Sequence, residues 1–183
     1  MKTGEVRVIG GQWRSRKLRF PALPGLRPTP DRVRETLFNW LGQDLTGRDC
    51  LDLYAGSGAL GFEAASRGAR RVVMVERDAT ALRALQANRE MLDATGVEVV
   101  RADALEFIQH HDGRYQVVFA DPPFADDQWR QLLELLPRCL TADGLVYCER
   151  ARALSAPPGW AVVRSGRAGQ VSHQLLKRSV HEQ

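Results

Sequence analysis

No stretch of this sequence approaches the roughly 18 consecutive apolar residues that a membrane span requires, so a helical membrane protein is excluded. The opening residues, MKTGEVRVIGGQWRSRK, contain no apolar core and no small-residue cleavage site. No secretory signal is expected there, and a cytoplasmic location is. Cysteine is scarce: Cys50, Cys139 and Cys148 are odd in number and widely spaced. They fit neither a disulfide framework nor a zinc site, and each is expected to be a small buried hydrophobe in a reducing compartment. His110 and His111 follow a helical stretch near a polar turn, and no metal is expected there. There is no internal repeat and no low-complexity tract. What remains is ordinary for a globular chain: 183 residues, 44% hydrophobic and 26% charged. Such a length suits one domain with a short appendage, burying roughly 70% of the surface its unfolded chain exposes.

The net charge of +4 conceals an asymmetry. Residues 1–34 carry nine Lys and Arg against Glu5 and Asp31, a net of +7, while the rest of the chain sums to −3. A nearly neutral body therefore carries a basic arm, the kind of feature that attracts a polyanion. Trp13 and Phe20 stand among these cations, and aromatic rings among cations suggest base stacking on a nucleic acid.

Loose alternation at Val6, Val8, Trp13, Leu18 and Phe20 around Gly10-Gly11 predicts a short β-hairpin or meander. Four prolines in PALPGLRPTP (21–30) predict an extended linker. Thr29 is placed to cap a helix that Pro30 and Asp31 begin, with Val33, Leu37, Trp40 and Leu41 as its apolar stripe. From Arg48 strands and helices alternate. Strands are expected at 50–54, 71–76, 97–103, 115–121 and 144–149, and helices at 59–67, 78–92, 104–109 and 126–136. The segments 160–165 and 171–178 then form a closing antiparallel hairpin. This is an α/β pattern: a doubly wound, mostly parallel sheet with helices on both faces. The division expected is an arm and linker over 1–29 and a Rossmann-like domain over 30–183.

The loop DLYAGSGALG (52–61) joins the first of these strands to a helix and contains Gly56-x-Gly58-x-x-Gly61, with Glu76 ending the next strand 20 residues later. Glycines let the chain turn sharply and let a ligand approach the backbone. An acid at the end of the second strand can accept both hydroxyls of a ribose. The pair indicates a nucleoside cofactor without requiring a pyrophosphate. Against a nicotinamide dinucleotide stand Asp52, whose carboxylate suits a cation better than a pyrophosphate, and the lack of any separate substrate domain.

Asp121-Pro122-Pro123-Phe124 follows the fourth parallel strand. Two prolines stiffen the turn and remove two N–H donors. The backbone carbonyls and the carboxylate become a wall of acceptors, which suits an NH2 group on a planar ring. Such an amine is a poor nucleophile because its lone pair is delocalised. Acceptors that hold its hydrogens draw the nitrogen toward tetrahedral geometry, and Phe124 can stack on the ring.

Taken together, DLYAGSGALG, Glu76, Asp103, DPPF and the closing hairpin resemble the class I S-adenosylmethionine-dependent methyltransferases. RVIGGQWRSRKL (7–18) and RPTPDRVRETLFNWL (27–41) narrow the resemblance to the bacterial family that methylates guanine N2 in small-subunit (16S) ribosomal RNA. The resemblance spans nearly the whole chain and is least distinctive over 151–183. It implies S-adenosylmethionine as methyl donor, held by Asp52, Tyr54, Ala55, Gly56, Ser57, Gly58, Gly61, Glu76, Arg77, Asp103 and Ala104. Asp52 would face the methionine end, Glu76 the ribose and Asp103 the adenine amino group, with Arg27 or Thr29 closing from the linker. Asp121, Pro122 and Phe124 would be catalytic, with no need for a raised pKa at Asp121. Arg14, Arg16, Lys17, Arg27 and Arg32 would bind RNA. The implied partner is an assembled or partly assembled small ribosomal subunit; with no long apolar stripe left over, a monomer is expected. The DPPF turn is shared with DNA amino-methyltransferases and a protein-glutamine methyltransferase, which stand as the alternative.

Overall fold

The computed structural model describes residues 2–122 and 127–179. A two-stranded antiparallel hairpin, β1 (Thr3–Arg7) and β2 (Lys17–Pro21), opens the chain. After the proline-rich linker come α1 (Asp31–Trp40), β3 (Asp49–Asp52), α2 (Ala59–Ser66), β4 (Arg71–Glu76), α3 (Ala79–Met91) and β5 (Val97–Arg101). Then follow α4 (Ala104–His110), β6 (Tyr115–Ala120), α5 (Asp127–Leu135), β7 (Leu140–Arg150), β8 (Trp160–Ala168) and β9 (Val171–Arg178). The main sheet has seven strands in the order β5-β4-β3-β6-β7-β9-β8. The first five are mutually parallel, and β9 returns antiparallel between β7 and β8. The expected doubly wound sheet with its closing hairpin is therefore present.

The parallel strands are apolar because both of their faces are covered. Phe38, Phe62, Leu85, Phe119 and Tyr147 pack on the side of α1, α2 and α3. Ile108, Trp129, Leu132, Leu136 and Trp160 pack on the side of α4 and α5. The helix α3 starts as the sequence suggests, with the Asp78 carboxylate accepting from Thr80 N and Ala81 N. Asp103 caps α4 in the same way.

The basic arm is docked, not free. Val6, Val8, Leu18 and Phe20 are buried in the same core as Phe62 and Leu85, each contributing about 1.5–3 kcal/mol by burial. This corrects one expectation: Phe20 is 8% exposed and offers no face to a base, and Trp13 packs partly against the core. Two fully buried charges fasten the arm. Glu63 on α2 accepts from Ile9 N, Gly10 N, Arg34 Nη1 and Arg67 Nε at 2.8, 2.8, 3.2 and 2.9 Å. Arg34 on α1 also donates to the carbonyls of Thr29 and Arg7 and to Asp31. Thr29 does not cap α1; its hydroxyl is turned to Glu149 instead, at 2.8 Å.

Candidate active site

The chain steps outward from β3 to β4 and β5, then returns to place β6 on the other side of β3. Such a reversal leaves a crevice at the carboxyl ends of the two central strands, where ligands bind in open α/β sheets. Asp52 ends β3 and pairs in register with Phe119 of β6, so Asp121-Pro122 emerges beside the glycine loop.

The glycines of the loop are not all required for the same reason. Gly56 has a φ of +53°, and a side chain there would meet only Leu26 of the linker and its own neighbour Tyr54, near 3.8–3.9 Å. This is the glycine that faces open space. Gly58 (φ +81°) lies against Phe62 and Leu85, and Gly61 against Met74, all closer than a Cβ tolerates. Those two are dictated by packing of the helix on the sheet, not by approach of a ligand. Asp52 is 3% exposed and accepts from Gly61 N at 3.1 Å. Burial pushes its carboxyl up to about 7, against backbone hydrogen bonds from Gly61 and Tyr54 that favour the charge. Glu76 fixes the other side of the loop, its Oε2 accepting from Gly56 N at 2.9 Å and its Oε1 from Asp78 N. Ala55, Ser57 and Ala104 are buried, whereas Arg77 and Asp103 are exposed. Tyr54 lies within reach of the charges of Asp103 and Asp121, and its buried hydroxyl has no partner among the described residues.

Across the crevice Asp121 is half-buried and Pro122 buried; Phe124 lies outside the described residues. Burial, reinforced by the carboxylates of Glu149 and Asp52, holds the Asp121 carboxyl well above the ordinary carboxylate range. The cause is visible in the register. Ala120 pairs with Cys148, so Asp121 and Glu149 leave adjacent parallel strands side by side, about 4.8 Å apart along the sheet. Glu149 Oε1 in turn accepts from the hydroxyls of Thr29 and Tyr147, at 2.8 and 2.9 Å. The crevice thus joins a tight glycine loop, a line of carboxylates at the ends of four strands, and a proline-stiffened acceptor.

A family model described as "Conserved hypothetical protein 95" matches residues 6–177. The chain is 41% identical over 181 residues to "Ribosomal RNA small subunit methyltransferase D" of Escherichia coli strain K12, covering 96% of this chain and 91% of that protein. It is also 41% identical over 182 residues to the Haemophilus influenzae protein of the same name, covering 95% of this chain and 94% of that one. The chain belongs to the ribosomal RNA small subunit methyltransferase D family. A solved Escherichia coli structure superimposes with a TM-score of 0.85 at 41% identity, over 97% of this chain and 100% of that one. The fold is that of a class I methyltransferase.

For this family member, the residues expected to contact RNA do not all lie at one place. The helix α2 runs from the glycine loop toward the opposite end of the sheet, about 12 Å at 1.5 Å per residue. The tip of the β1–β2 hairpin is tied to that far end, with Gln12 N and Trp13 N bonded to Ser66 and Arg16 to the Met91 carbonyl. Arg14, Arg16 and Lys17 are exposed there, and Lys17 is paired with Glu5 at 3.1 Å. Arg27 and Arg32 are exposed on and beside the linker that crosses the crevice, next to Leu26 and Thr29. Among the described residues no group of three or more His, Cys, Asp or Glu side chains is arranged to hold a metal ion, and no helix is long and apolar enough to cross a membrane.

Glu149, Tyr147 and the Arg34–Glu63 pair were not foreseen as functional or anchoring residues. A signal for Glu149 existed: it ends a parallel strand, as Glu76 does. Arg34 and Glu63 gave none, because one charge inside an amphipathic pattern reads as solvated.

Proposed function

We propose that this protein transfers a methyl group from S-adenosylmethionine to the exocyclic N2 of a guanine in small-subunit ribosomal RNA, within an assembled or partly assembled particle. The observation that carries the proposal is the side-by-side emergence of the glycine loop from β3 and Asp121-Pro122 from β6 at the reversal of the sheet. The names of the relatives supply the substrate class.

The residues fit the donor. The backbone at Gly56 offers open space against which a nucleoside can lie. Glu76 retains acceptor capacity for ribose hydroxyls, Asp103 for an adenine amino group, and Tyr54 presents nearby a hydroxyl with no partner among the described residues. Asp52, buried beneath the loop, gives negative potential where the cationic methionine end would lie. Bound there, the donor supplies an electrophilic methyl carbon on a sulfonium. The chain's own part is alignment, which can supply several kcal/mol of the barrier. Asp121 and the Pro122 carbonyl hold the two N2 hydrogens, directing the nitrogen lone pair at the methyl carbon, and Phe124 stacks on the flipped-out guanine. As the N–C bond forms, the C–S bond breaks and its electron pair leaves with sulfur. The nitrogen then sheds a proton. Asp121, held above the usual carboxylate range by burial and by Glu149, is suited to receive it.

The test is radiolabelled donor offered to small subunits from cells lacking this protein, followed by nucleoside mass spectrometry. N2-methylguanosine in the small-subunit RNA is the expected product. N6-methyladenine or N4-methylcytosine in DNA, or label on protein glutamine, would replace the reading with the alternative chemistry of the same turn.

A further inference from the structure

Beyond the crevice, the chain after β7 folds back over the β8–β9 hairpin. Gln174, 3% exposed on β9, pins it there: Leu154 N donates to Gln174 Oε1 at 2.6 Å, and Gln174 Nε2 donates to the Leu154 carbonyl at 3.2 Å. Between this segment and the hairpin lies a groove of about 740 Å³. Arg152 stands on one wall, and Ser165, Arg167 and Ser172 on the other, with Gln170 at the hairpin turn. Ser172 pairs in register with Arg167 and Gln174 with Ser165, so these side chains share the face that the folded segment covers. Among the described residues no carboxylate lines the groove. Arg152 and Arg167 are exposed, and neither has an ion-pair partner among the described residues. By contrast, Lys17 and Arg19 of the arm share Glu5, and Arg7 is paired with Asp31.

The groove opens at the same end of the sheet as the crevice. The strand β7 runs parallel to β6 and ends at Arg150, and β9 begins beside it with Ser172 opposite Arg150. At about 4.8 Å per strand, the groove lies roughly 10–15 Å from Asp121 across the sheet. That span is covered by the nucleotides flanking a base that has been swung out of its stack.

We infer that this groove binds backbone phosphates of the substrate RNA on the side of the target nucleotide away from the linker, through Arg152 and Arg167 with the serine hydroxyls as further donors. The inference rests on the RNA substrate proposed above. Two unneutralised guanidinium groups in a cleft without acids match the forked acceptors of a phosphodiester. Phosphate contacts fix register without reading sequence. This surface lies in the least distinctive part of the sequence, where no motif pointed to RNA.

The experiment uses the full chain carrying Arg152→Gln and Arg167→Gln together. Anisotropy of a labelled fragment of small-subunit ribosomal RNA is followed between 50 and 200 mM salt, with donor affinity and melting temperature as controls. Losing two phosphate contacts should flatten the slope of log affinity against log salt by about 1.4–1.8. Over that range wild type should lose roughly seven- to twelvefold more affinity than the variant. Donor affinity and melting temperature should stay at wild-type values, and Arg152→Lys with Arg167→Lys should restore most of the slope. An unchanged slope in a folded variant overturns the inference while wild-type methylation of RNA stands. An unchanged slope on naked RNA with impaired methylation only of assembled particles overturns it in favour of a protein contact. If wild type binds RNA but methylates no guanine, the proposed function fails while the slope still decides the groove.

Discussion

The buried carboxylate that fastens the arm gives the sharpest test of how this molecule is held together. Glu63 is fully buried and receives two backbone N–H groups from the arm and two guanidinium groups. Glu63→Gln keeps the volume but removes the charge and turns an amide NH2 toward donors. Arg34, also fully buried, would be left facing a dipole, and Ile9 N or Gly10 N would lose its acceptor. Removing one partner of a buried pair costs about 3–5 kcal/mol. In a domain of this size that corresponds to a fall in melting temperature of roughly 6–20 °C. Urea titration and calorimetry read the loss directly. Limited proteolysis should show cleavage within residues 9–16 in the variant before the body is cut, because the tip of the hairpin is released first. A loss below about 1 kcal/mol, or an arm no more sensitive to protease, would refute the anchoring role.

Other expectations follow from the same geometry. Because burial raises the Asp52 pKa to about 7, the donor-free folded state binds more protons than the unfolded chain between pH 4 and 7. Stability should therefore fall as pH rises through that window, by roughly 1–4 kcal/mol, and Asp52→Asn should flatten the dependence in urea titrations. The same carboxylate must ionise to face a cationic donor, so donor affinity measured by calorimetry should increase from pH 6 to pH 8 in wild type and vary less in that variant. Glu76→Ala removes the acceptor for Gly56 N and, on the proposed function, the acceptor for the donor's ribose, and should weaken donor binding about tenfold or more while turnover at saturating donor changes far less. Neutralising Arg14, Arg16 and Lys17 together should reduce RNA affinity and flatten its salt dependence; an unchanged slope would show that the far end of the arm does not touch the substrate.

The strands and the glycine loop were legible in the sequence because short apolar runs between Gly-rich punctuation leave few alternatives. Asp52, Glu76, Asp103 and Asp121 stood out because each lies at or near the carboxyl end of a strand. The arm shows where such reasoning stops. Val6, Val8, Leu18 and Phe20 carry the alternation of a half-buried hairpin, yet Phe20 among cations suggested an exposed stacking platform. Alternation decided its fate, since the hairpin has a body to pack against. Thr29 met the local pattern of a helix cap but hydrogen-bonds a residue 120 positions away, a partner no local pattern contains. The glycines illustrate a third case. Their spacing matched a nucleotide fingerprint, but packing on Phe62, Leu85 and Met74, with a left-handed backbone at Gly58, explains Gly58 and Gly61.

The central claim is that Asp121 and the proline turn guide an exocyclic amine onto a methyl carbon held by the β3 loop. Single-turnover methylation of small subunits by Asp121→Ala, with donor affinity measured in parallel, tests it most directly. The account predicts a methyl-transfer rate reduced at least about a hundredfold, with donor affinity within about threefold of wild type. A rate near that of wild type, or equal losses in rate and donor affinity, would contradict it.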